Sequence, residues 1–95
     1  MEIYPLLYFS TIAETENLTQ AAEQLAISPP ALSNALKRLE RNLGVELFDR
    51  VGRNLVLNMY GQAYLPYARK ILSLTRQSNE LMQRMQEEQL WYLHG

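Results

Sequence analysis

The most constraining feature of the sequence is a long seam of large side chains in its second half. From position 60 to position 85 these side chains recur at alternating spacings of four and three residues, which is the heptad pattern of a helix that packs along one stripe. The seam consists of Tyr60, Tyr64, Tyr67, Ile71, Leu74, Ser78, Leu81 and Met85. We therefore predict a helix over residues 59–89, broken in its apolar pattern only by Ser78 and bent or strained at Pro66.

A helix of this length would form a rod of about 45 Å, since each residue adds about 1.5 Å. The chain has 95 residues and supplies one domain at most, which is too small to cover such a rod along its whole length. The seam therefore predicts pairing with a second copy of the chain. The predicted dimerisation residues are Tyr60, Tyr64, Tyr67, Ile71, Leu74, Leu81 and Met85, and we interpret the tyrosines as packing residues.

The composition excludes several classes of protein. The chain has no cysteine, which rules out disulfides, thiolate zinc sites and thiol nucleophiles. Its one histidine, His94, lies in the tail, so we expect no metal site and no cofactor. We also expect no enzyme, because there is no nucleophile–base pair and no glycine-rich phosphate loop. No apolar run approaches the ~20 residues that cross a bilayer, and no basic segment follows Met1, so a cytoplasmic protein without a membrane span fits best.

The charge is distributed unevenly, although the net charge is only −1. Residues 1–36 contain carboxylates at positions 2, 14, 16 and 23 and no lysine or arginine. Residues 37–53 contain cations at positions 37, 38, 41, 50 and 53, against carboxylates at positions 40, 46 and 49. A phosphate backbone is attracted by a locally basic surface, whatever the net charge of the chain. This stretch is therefore the candidate for nucleic-acid contact. The small excess predicts weak, salt-sensitive binding unless the chain is dimeric.

The start of the chain predicts a first helix over residues 4–14. Its apolar face is predicted to consist of Ile3, Leu6, Leu7 and Ile12. Pro5 is tolerated there only in the first turn, because a proline has no N–H for an interior turn to use.

A second, short helix is predicted over residues 18–25. Asn17 is a good N-cap, and Gln20 can reach back to it as in a capping box. The adjacent Ala21 and Ala22 are small enough to let another helix approach closely.

A third helix is predicted over residues 29–43. Ser28 is a good N-cap, Pro29 suits the first helical position, and Gly44 suits the left-handed position after the last turn. The core-facing residues are predicted to be Leu32, Leu36, Leu39 and Leu43.

Two β-like segments follow, at 47–50 and 55–57. The turn residues Gly52 and Asn54 between them predict a small hairpin. Asn58 is then positioned to cap the last helix.

This order of elements predicts a mainly α fold, a winged helix-turn-helix followed by a long dimerisation helix. The major groove of DNA admits one helix, which the preceding helix braces. The face of the third helix that the leucines leave free carries Ser33, Asn34, Lys37 and Arg38, with Arg41 nearby. Free N–H groups at the start of that helix are also expected to approach phosphates.

Several of these residues also have a simpler, structural interpretation that involves no DNA. Lys37 and Arg38 could form a solvated helix face, and Arg50 could equally well pair with a nearby carboxylate. Arg53 at the hairpin tip is the better candidate for a minor groove or a phosphate, because a tip has few carboxylate neighbours. Ser28 is at least a structural cap.

The same residues resemble a known family. The stretches 18–25 (LTQAAEQL), 28–33 (SPPALS) and 39–50 (LERNLGVELFDR), with Gly61, resemble the N-terminal domain of LysR-type transcriptional regulators. The opening stretch 7–9 and the stretch 68–72 fit as well, so that the resemblance covers about residues 1–90. Order, spacing and identity agree over several elements, which makes the resemblance specific.

The resemblance implies that the third helix enters the major groove with the wing beside it. The DNA-contacting residues are then expected to be Thr19, Ser28, Pro29, Pro30, Ser33, Asn34, Lys37, Arg38, Arg50 and Arg53. Members of the family dimerise through the long linker helix, associate further into tetramers, and sense a small-molecule effector through a larger C-terminal domain. The implied division is a DNA-binding domain at 1–58, a linker and dimerisation helix at 59–89, and the first residues of an absent effector-binding domain at 90–95. This chain is accordingly expected to be a fragment of a longer regulator.

Three positions depart from the family pattern. Pro29 stands where a glutamine is common, Asn34 where an arginine is common, and Asn58 where a threonine is usual. The leading hypothesis is a sequence-specific DNA-binding homodimer that regulates transcription. The changes at Pro29 and Asn34, with the net negative charge, favour the alternative of a winged-helix protein-interaction module without DNA binding.

Overall fold

The computed structural model describes the backbone of residues 3–94 and the side chains of residues 3–90. The elements are α1 (Tyr4–Thr15), α2 (Leu18–Leu25), α3 (Pro29–Leu43), β1 (Phe48–Val51), β2 (Asn54–Leu57) and α4 (Met59–His94). The predicted mainly helical fold, with a two-stranded antiparallel wing and a long last helix, is confirmed. Met1, Glu2 and Gly95 lie outside the described residues, as do the side chains at 91–94, including that of His94.

Helix α1 supplies the centre of the core, although not with the face that the sequence predicted. Leu6, Phe9 and Ile12 are buried, whereas Leu7 is 38% exposed. The prediction for Leu7 was wrong because the inward stripe follows steps of three residues from Leu6, which turn Leu7 about 100° away from the core. The ring of Phe9 packs against Phe48 of the wing, with centroids 5.6 Å apart, and so joins α1 to the hairpin.

The helix-turn-helix unit forms through local hydrogen bonds. Asn17 caps α2, since its Oδ1 accepts from the backbone N–H of Gln20 at 2.9 Å. The reciprocal half of the capping box is wrong: the backbone N–H of Asn17 donates to Thr15 Oγ1 at 3.4 Å, and the described hydrogen bonds include none from the Gln20 side chain to Asn17. Ala21 and Ala22 are buried, as their small size predicted.

Helix α3 begins and ends where the sequence predicted. Ser28 Oγ accepts from the Ala31 N–H at 3.2 Å, and Gly44 adopts the left-handed conformation, with φ of 79°. Three of the four predicted core leucines are buried, Leu32, Leu36 and Leu39. Leu43 is 39% exposed, so its assignment to the core was wrong. It lies in the last turn of α3, at the rim of an apolar groove shared with Tyr60 and Tyr67 of α4.

The wing is a β-hairpin whose two strands are joined by a two-residue turn. Val51 pairs with Asn54, which leaves Gly52 and Arg53 as the turn, and Gly52 supplies the positive φ (62°) that the first turn position of a type II′ hairpin needs. The free edge of β2 is also held, because the Leu55 N–H donates to the carbonyl of Glu16 at 2.9 Å. The wing is thereby fixed to the turn between α1 and α2.

Helix α4 leaves the domain as a rod. Ala68 is fully buried and Ile71 and Leu72 pack partly against the core, but every side chain from 76 to 90 is exposed. The molecule accordingly measures 61 × 25 × 19 Å. The helix continues to His94, five residues beyond the predicted end, and the bend predicted at Pro66 stays a prediction. Over residues 3–94, none of the helices has the length and apolar character that crossing a bilayer requires.

Candidate nucleic-acid interface

The starts of α2 and α3 present small residues to solvent. Thr19, Ser28, Pro29 and Pro30 are all exposed. Ser28 uses its oxygen to accept from Ala31, which leaves its own O–H free to donate. Thr19 lies in the first turn of α2, so the two hydroxyls belong to the starts of two successive helices.

Residues 29–32, the first turn of α3, have no free backbone N–H to offer a phosphate. Pro29 and Pro30 have no N–H at all, the N–H of Ala31 is bonded to Ser28 Oγ, and that of Leu32 is bonded to the Ser28 carbonyl at 3.0 Å. The expectation that amides at the start of this helix would bind a phosphate was therefore wrong for these four residues. At residues 29–32, only side chains can supply such contacts.

The outward face of α3 carries the predicted polar and basic residues, but they lie on two flanks. Ser33 and Lys37 line a concave surface between α3 and the hairpin, which Arg50 also lines. Arg38 lies on the opposite flank, beside Pro5 of α1. The predicted set is thus divided between the groove facing the wing and the side facing α1 and α4.

Arg50 lies toward α3 because of the hairpin register. It pairs with Leu55, two positions along from the pair of Phe48 with Leu57, so that Arg50, Phe48 and Leu55 share one face of the hairpin. Arg53 occupies the second position of the exposed turn, at the tip of the wing. The wing therefore presents one cation beside α3, Arg50, and a second cation at the tip of the hairpin, Arg53.

The cations of this surface are not neutralised by ion pairs. Within residues 3–90, the ion pairs are Arg69 with Glu14, at 3.8 Å, and Arg76 with Glu80, at 3.1 Å. The alternative that Arg50 pairs with a carboxylate is therefore not what the structure has. Unpaired and exposed are Lys37, Arg38, Arg41, Arg50 and Arg53.

One carboxylate of the basic stretch, Glu40, holds the backbone while it lines the same concave surface as Lys37. Glu40 Oε2 accepts the backbone N–H of Leu47 at 2.7 Å, which bridges α3 to the segment before β1. Glu46 and Asp49 remain exposed. All three carboxylates line the concave surface between α3 and the hairpin, so the local basic excess is no larger than the sequence count suggested.

Arg41 belongs with the candidate contact residues, although the sequence analysis placed it only nearby. It is exposed in the last turn of α3 and lines a concave surface with Lys37. The signal was present in the sequence, because Asn34, Lys37 and Arg41 are spaced by three and four residues and so share one helix face.

The predicted dimerisation seam divides into two parts. Five members are exposed: Tyr60, Tyr67, Leu74, Leu81 and Met85. Tyr64 and Ile71 are only partly exposed, because they pack against the core of their own domain. The exposed part continues along the uncovered end of the rod, where Met82 is also 56% exposed.

The comparisons with known proteins agree with this fold. The family model described as bacterial regulatory helix-turn-helix protein, lysR family, matches residues 4–62. The chain belongs to this family, as its sequence motifs predicted.

The relatives and solved structures share both sequence and fold with the chain. The uncharacterized HTH-type transcriptional regulator YybE of Bacillus subtilis is 42% identical over 86 residues, which are 90% of this chain and 28% of that protein. TfdT of Cupriavidus pinatubonensis, also named an HTH-type transcriptional regulator, is 37% identical over 87% of this chain and 36% of that protein. This chain thus spans about a third of the length of these relatives.

Two solved structures with DNA match nearly the whole chain. The CbnR DBD–DNA complex is 37% identical, with a TM-score of 0.83, over 88% of this chain and 97% of that one. The BenM DBD complex with catB site 1 DNA is 34% identical, with a TM-score of 0.84, over 90% and 91%.

Proposed function

We propose that this chain binds double-stranded DNA sequence-specifically as a homodimer and thereby regulates transcription. The observation that carries the proposal is the set of exposed cations on α3 and the wing, Lys37, Arg38, Arg41, Arg50 and Arg53, none of which has an ion-pair partner among the described residues. Cations on a helix and on the adjacent hairpin suit a phosphate backbone, because each neutralised phosphate releases a condensed counterion.

In this proposal α3 enters the major groove. Ser33 and Asn34 are short polar side chains that can reach base edges, while the cations around them hold phosphates. Pro29 and Pro30 offer apolar surface, which suits a thymine methyl group. The free O–H of Ser28 can donate to a phosphate at the start of α3, where the amides of residues 29–32 cannot, and Thr19 offers a second hydroxyl at the start of α2.

The proposed homodimer is supported by the uncovered part of α4. Leu74 is 63% exposed, Leu81 44% and Met85 55%, in register on one side of a helix. Pairing would remove these side chains from water. It would also double the basic surface, which a chain of net charge −1 needs for firm binding.

The matching structures support DNA as the partner, since both are complexes with DNA. The relatives are named transcriptional regulators, so we assign the chain no catalytic activity and place it in the cytoplasm with the DNA. For the full-length protein we propose association into tetramers and binding of a small-molecule effector through a C-terminal domain. The division at residues 58 and 89 remains part of the same proposal.

The test is selection from a pool of random duplex DNA at several salt concentrations, followed by sequencing of the bound fraction. We expect an enriched two-fold symmetric motif and an affinity that falls steeply as salt rises. If folded, dimeric protein enriches nothing and binds without salt dependence, the DNA proposal fails. The remaining candidate would then be a protein-interaction module, which the net charge and the residues at positions 29 and 34 favour.

A further inference from the structure

The recognition helix, the wing and the rod are joined at the backbone of residues 46–47. From α3, Glu40 Oε2 accepts the Leu47 N–H at 2.7 Å. From the start of α4, the Asn58 N–H donates to the Leu47 carbonyl at 3.0 Å, and Asn58 Nδ2 donates to the Glu46 carbonyl at 2.9 Å. The wing begins at the next residue, Phe48. We call this set of contacts the joint.

Asn58 contributes more to the joint than a helix cap requires. Its Oδ1 accepts from the Gly61 N–H at 2.9 Å, which is the capping bond, while its Nδ2 holds Glu46. A threonine at this position could supply the cap but has no amide to donate to Glu46. The bond to Glu46 therefore depends on the residue by which this chain departs from the family pattern.

Glu40 satisfies a backbone group that the β-ladder does not reach. The ladder begins with the pair of Phe48 and Leu57, so the N–H of Leu47 lies outside it. The Leu47 side chain is 1% exposed, and a partly buried N–H without an acceptor is unfavourable. A charged acceptor makes this one of the stronger hydrogen bonds of the domain.

We infer that Glu40 and Asn58 are positioning residues that fix the angle between α3, the wing and α4. The inference rests on the proposed function, since it concerns how a dimer places its DNA-contacting residues. Lys37 lies on α3, Arg53 on the wing, and the seam on α4. In a symmetric dimer the distance between the two recognition helices follows from the angle that each makes with its own rod. The joint therefore sets which half-site spacing the protein accepts.

Three single variants of the full chain separate the contributions. Glu40→Ala removes the acceptor, whereas Glu40→Gln keeps an oxygen at the same reach and serves as the matched control. Asn58→Thr keeps the capping oxygen and removes only the bond to Glu46. All three are first compared with wild type for helix content and for dimerisation by sedimentation.

The first readout is hydrogen exchange of individual amides, measured by nuclear magnetic resonance without DNA. We expect exchange at Leu47 to accelerate about tenfold in Glu40→Ala, because a hydrogen bond to a charged acceptor is lost. In Glu40→Gln, which keeps a neutral acceptor oxygen, the exchange rate should lie between those of wild type and Glu40→Ala. In Asn58→Thr the capped amide of Gly61 should stay protected while Leu47 exchanges faster. An unchanged exchange rate at Leu47 in Glu40→Ala would overturn the proposed role of Glu40 in the joint.

The second readout uses the duplex that wild type selects from the random pool, lengthened at its centre by single base pairs. Wild type should lose affinity steeply as base pairs are added. For Glu40→Ala and Asn58→Thr the loss should shrink severalfold, while Glu40→Gln should follow wild type. A spacing penalty equal in all four proteins overturns the positioning role alone. Absence of salt-sensitive binding by wild type overturns the proposed function instead.

Discussion

The rings of Phe9 and Tyr64 pack with their centroids 5.4 Å apart and their planes at 57°. Phe9 is fully buried in the core, whereas Tyr64 belongs to the seam along which α4 is proposed to dimerise. A residue that the heptad pattern assigned to the dimer therefore also holds α4 against α1. Stability of the domain and association of two chains are linked at this position.

Replacing Tyr64 by alanine should lower the free energy of unfolding by about 3 kcal/mol, because a large side chain is removed from beside the core. Tyr67→Ala is the matched control, since Tyr67 is 64% exposed and should change it by no more than about 0.5 kcal/mol. Urea unfolding at a concentration where the chain is monomeric measures both. Equal losses for the two variants would contradict the packing role of Tyr64.

The phenol of Tyr64 should ionise at a higher pH than that of an ordinary tyrosine. Burial raises its pKa above the usual 10.0, since desolvation disfavours the phenolate. The neutral form is thus favoured in the folded state, so this contribution to stability is present below about pH 10 and is lost as the pH rises through the folded pKa. Ultraviolet titration of tyrosinate should show a late component that Tyr64→Phe removes. Its removal by Tyr67→Phe instead would contradict the assignment.

Replacing Arg53 by alanine should weaken binding to all DNA sequences alike and reduce the slope of log affinity against log salt by about one, as for a phosphate contact. Binding isotherms over a salt series measure both effects. Arg84→Ala removes an equally exposed cation from the uncovered end of α4 and should leave the slope unchanged. If the two variants behaved alike, Arg53 would not contact DNA.

Changes at Ser33 or Asn34 should alter sequence preference more than general affinity. Both side chains lie on α3 where base edges are expected, Ser33 half-buried in the groove facing the wing and Asn34 exposed. Repeating the pool selection with Asn34→Ala should therefore enrich a motif changed at a few positions, with similar affinity for random duplex. An unaltered motif for both Ser33→Ala and Asn34→Ala would show that the face is assigned wrongly.

Two aspartates in the exposed seam should produce monomers. Leu74 and Leu81 are suitable because both are exposed, whereas Ile71→Asp would also place a charge against the core. Sedimentation of the Leu74→Asp, Leu81→Asp chain should show the mass of one chain. The control, Asn79→Asp with Gln83→Asp, adds the same charge to the opposite side of α4. Dimers that survive the seam substitutions would exclude this surface.

Local features of the fold could be predicted from the sequence with good accuracy. The bounds of α2 and α3 follow from Asn17, Ser28 and Gly44, because a cap depends on a side chain and a backbone group only three or four residues apart. The family motifs extend over the same elements. For this reason the fold class and the family could both be inferred before any coordinates were known.

Features that depend on distant neighbours could not be predicted. Leucine spacing shows that Leu43 lies on the same side of α3 as Leu39. It does not show that the neighbouring elements that bury Leu39 leave Leu43 exposed. Helical spacing separates Lys37 from Arg38 by about 100°, but it does not show which element each of them faces. The contact between Glu40 and Leu47 links residues seven positions apart through a bend whose course depends on the whole domain.

Gly61 lies so close to the Leu47 carbonyl that a Cβ at this position would overlap it. A methyl group there would have to tilt the base of α4, and the rod acts as a lever on any such tilt. From Gly61 to Leu90 the lever is about 44 Å long, so a tilt of about five degrees moves its far end by about 4 Å. The smallest substitution at the base would thus displace mainly the far end of the rod, where exposed residues of the proposed dimer seam lie. A single added carbon atom at position 61 would change the alignment of two rods in the proposed dimer.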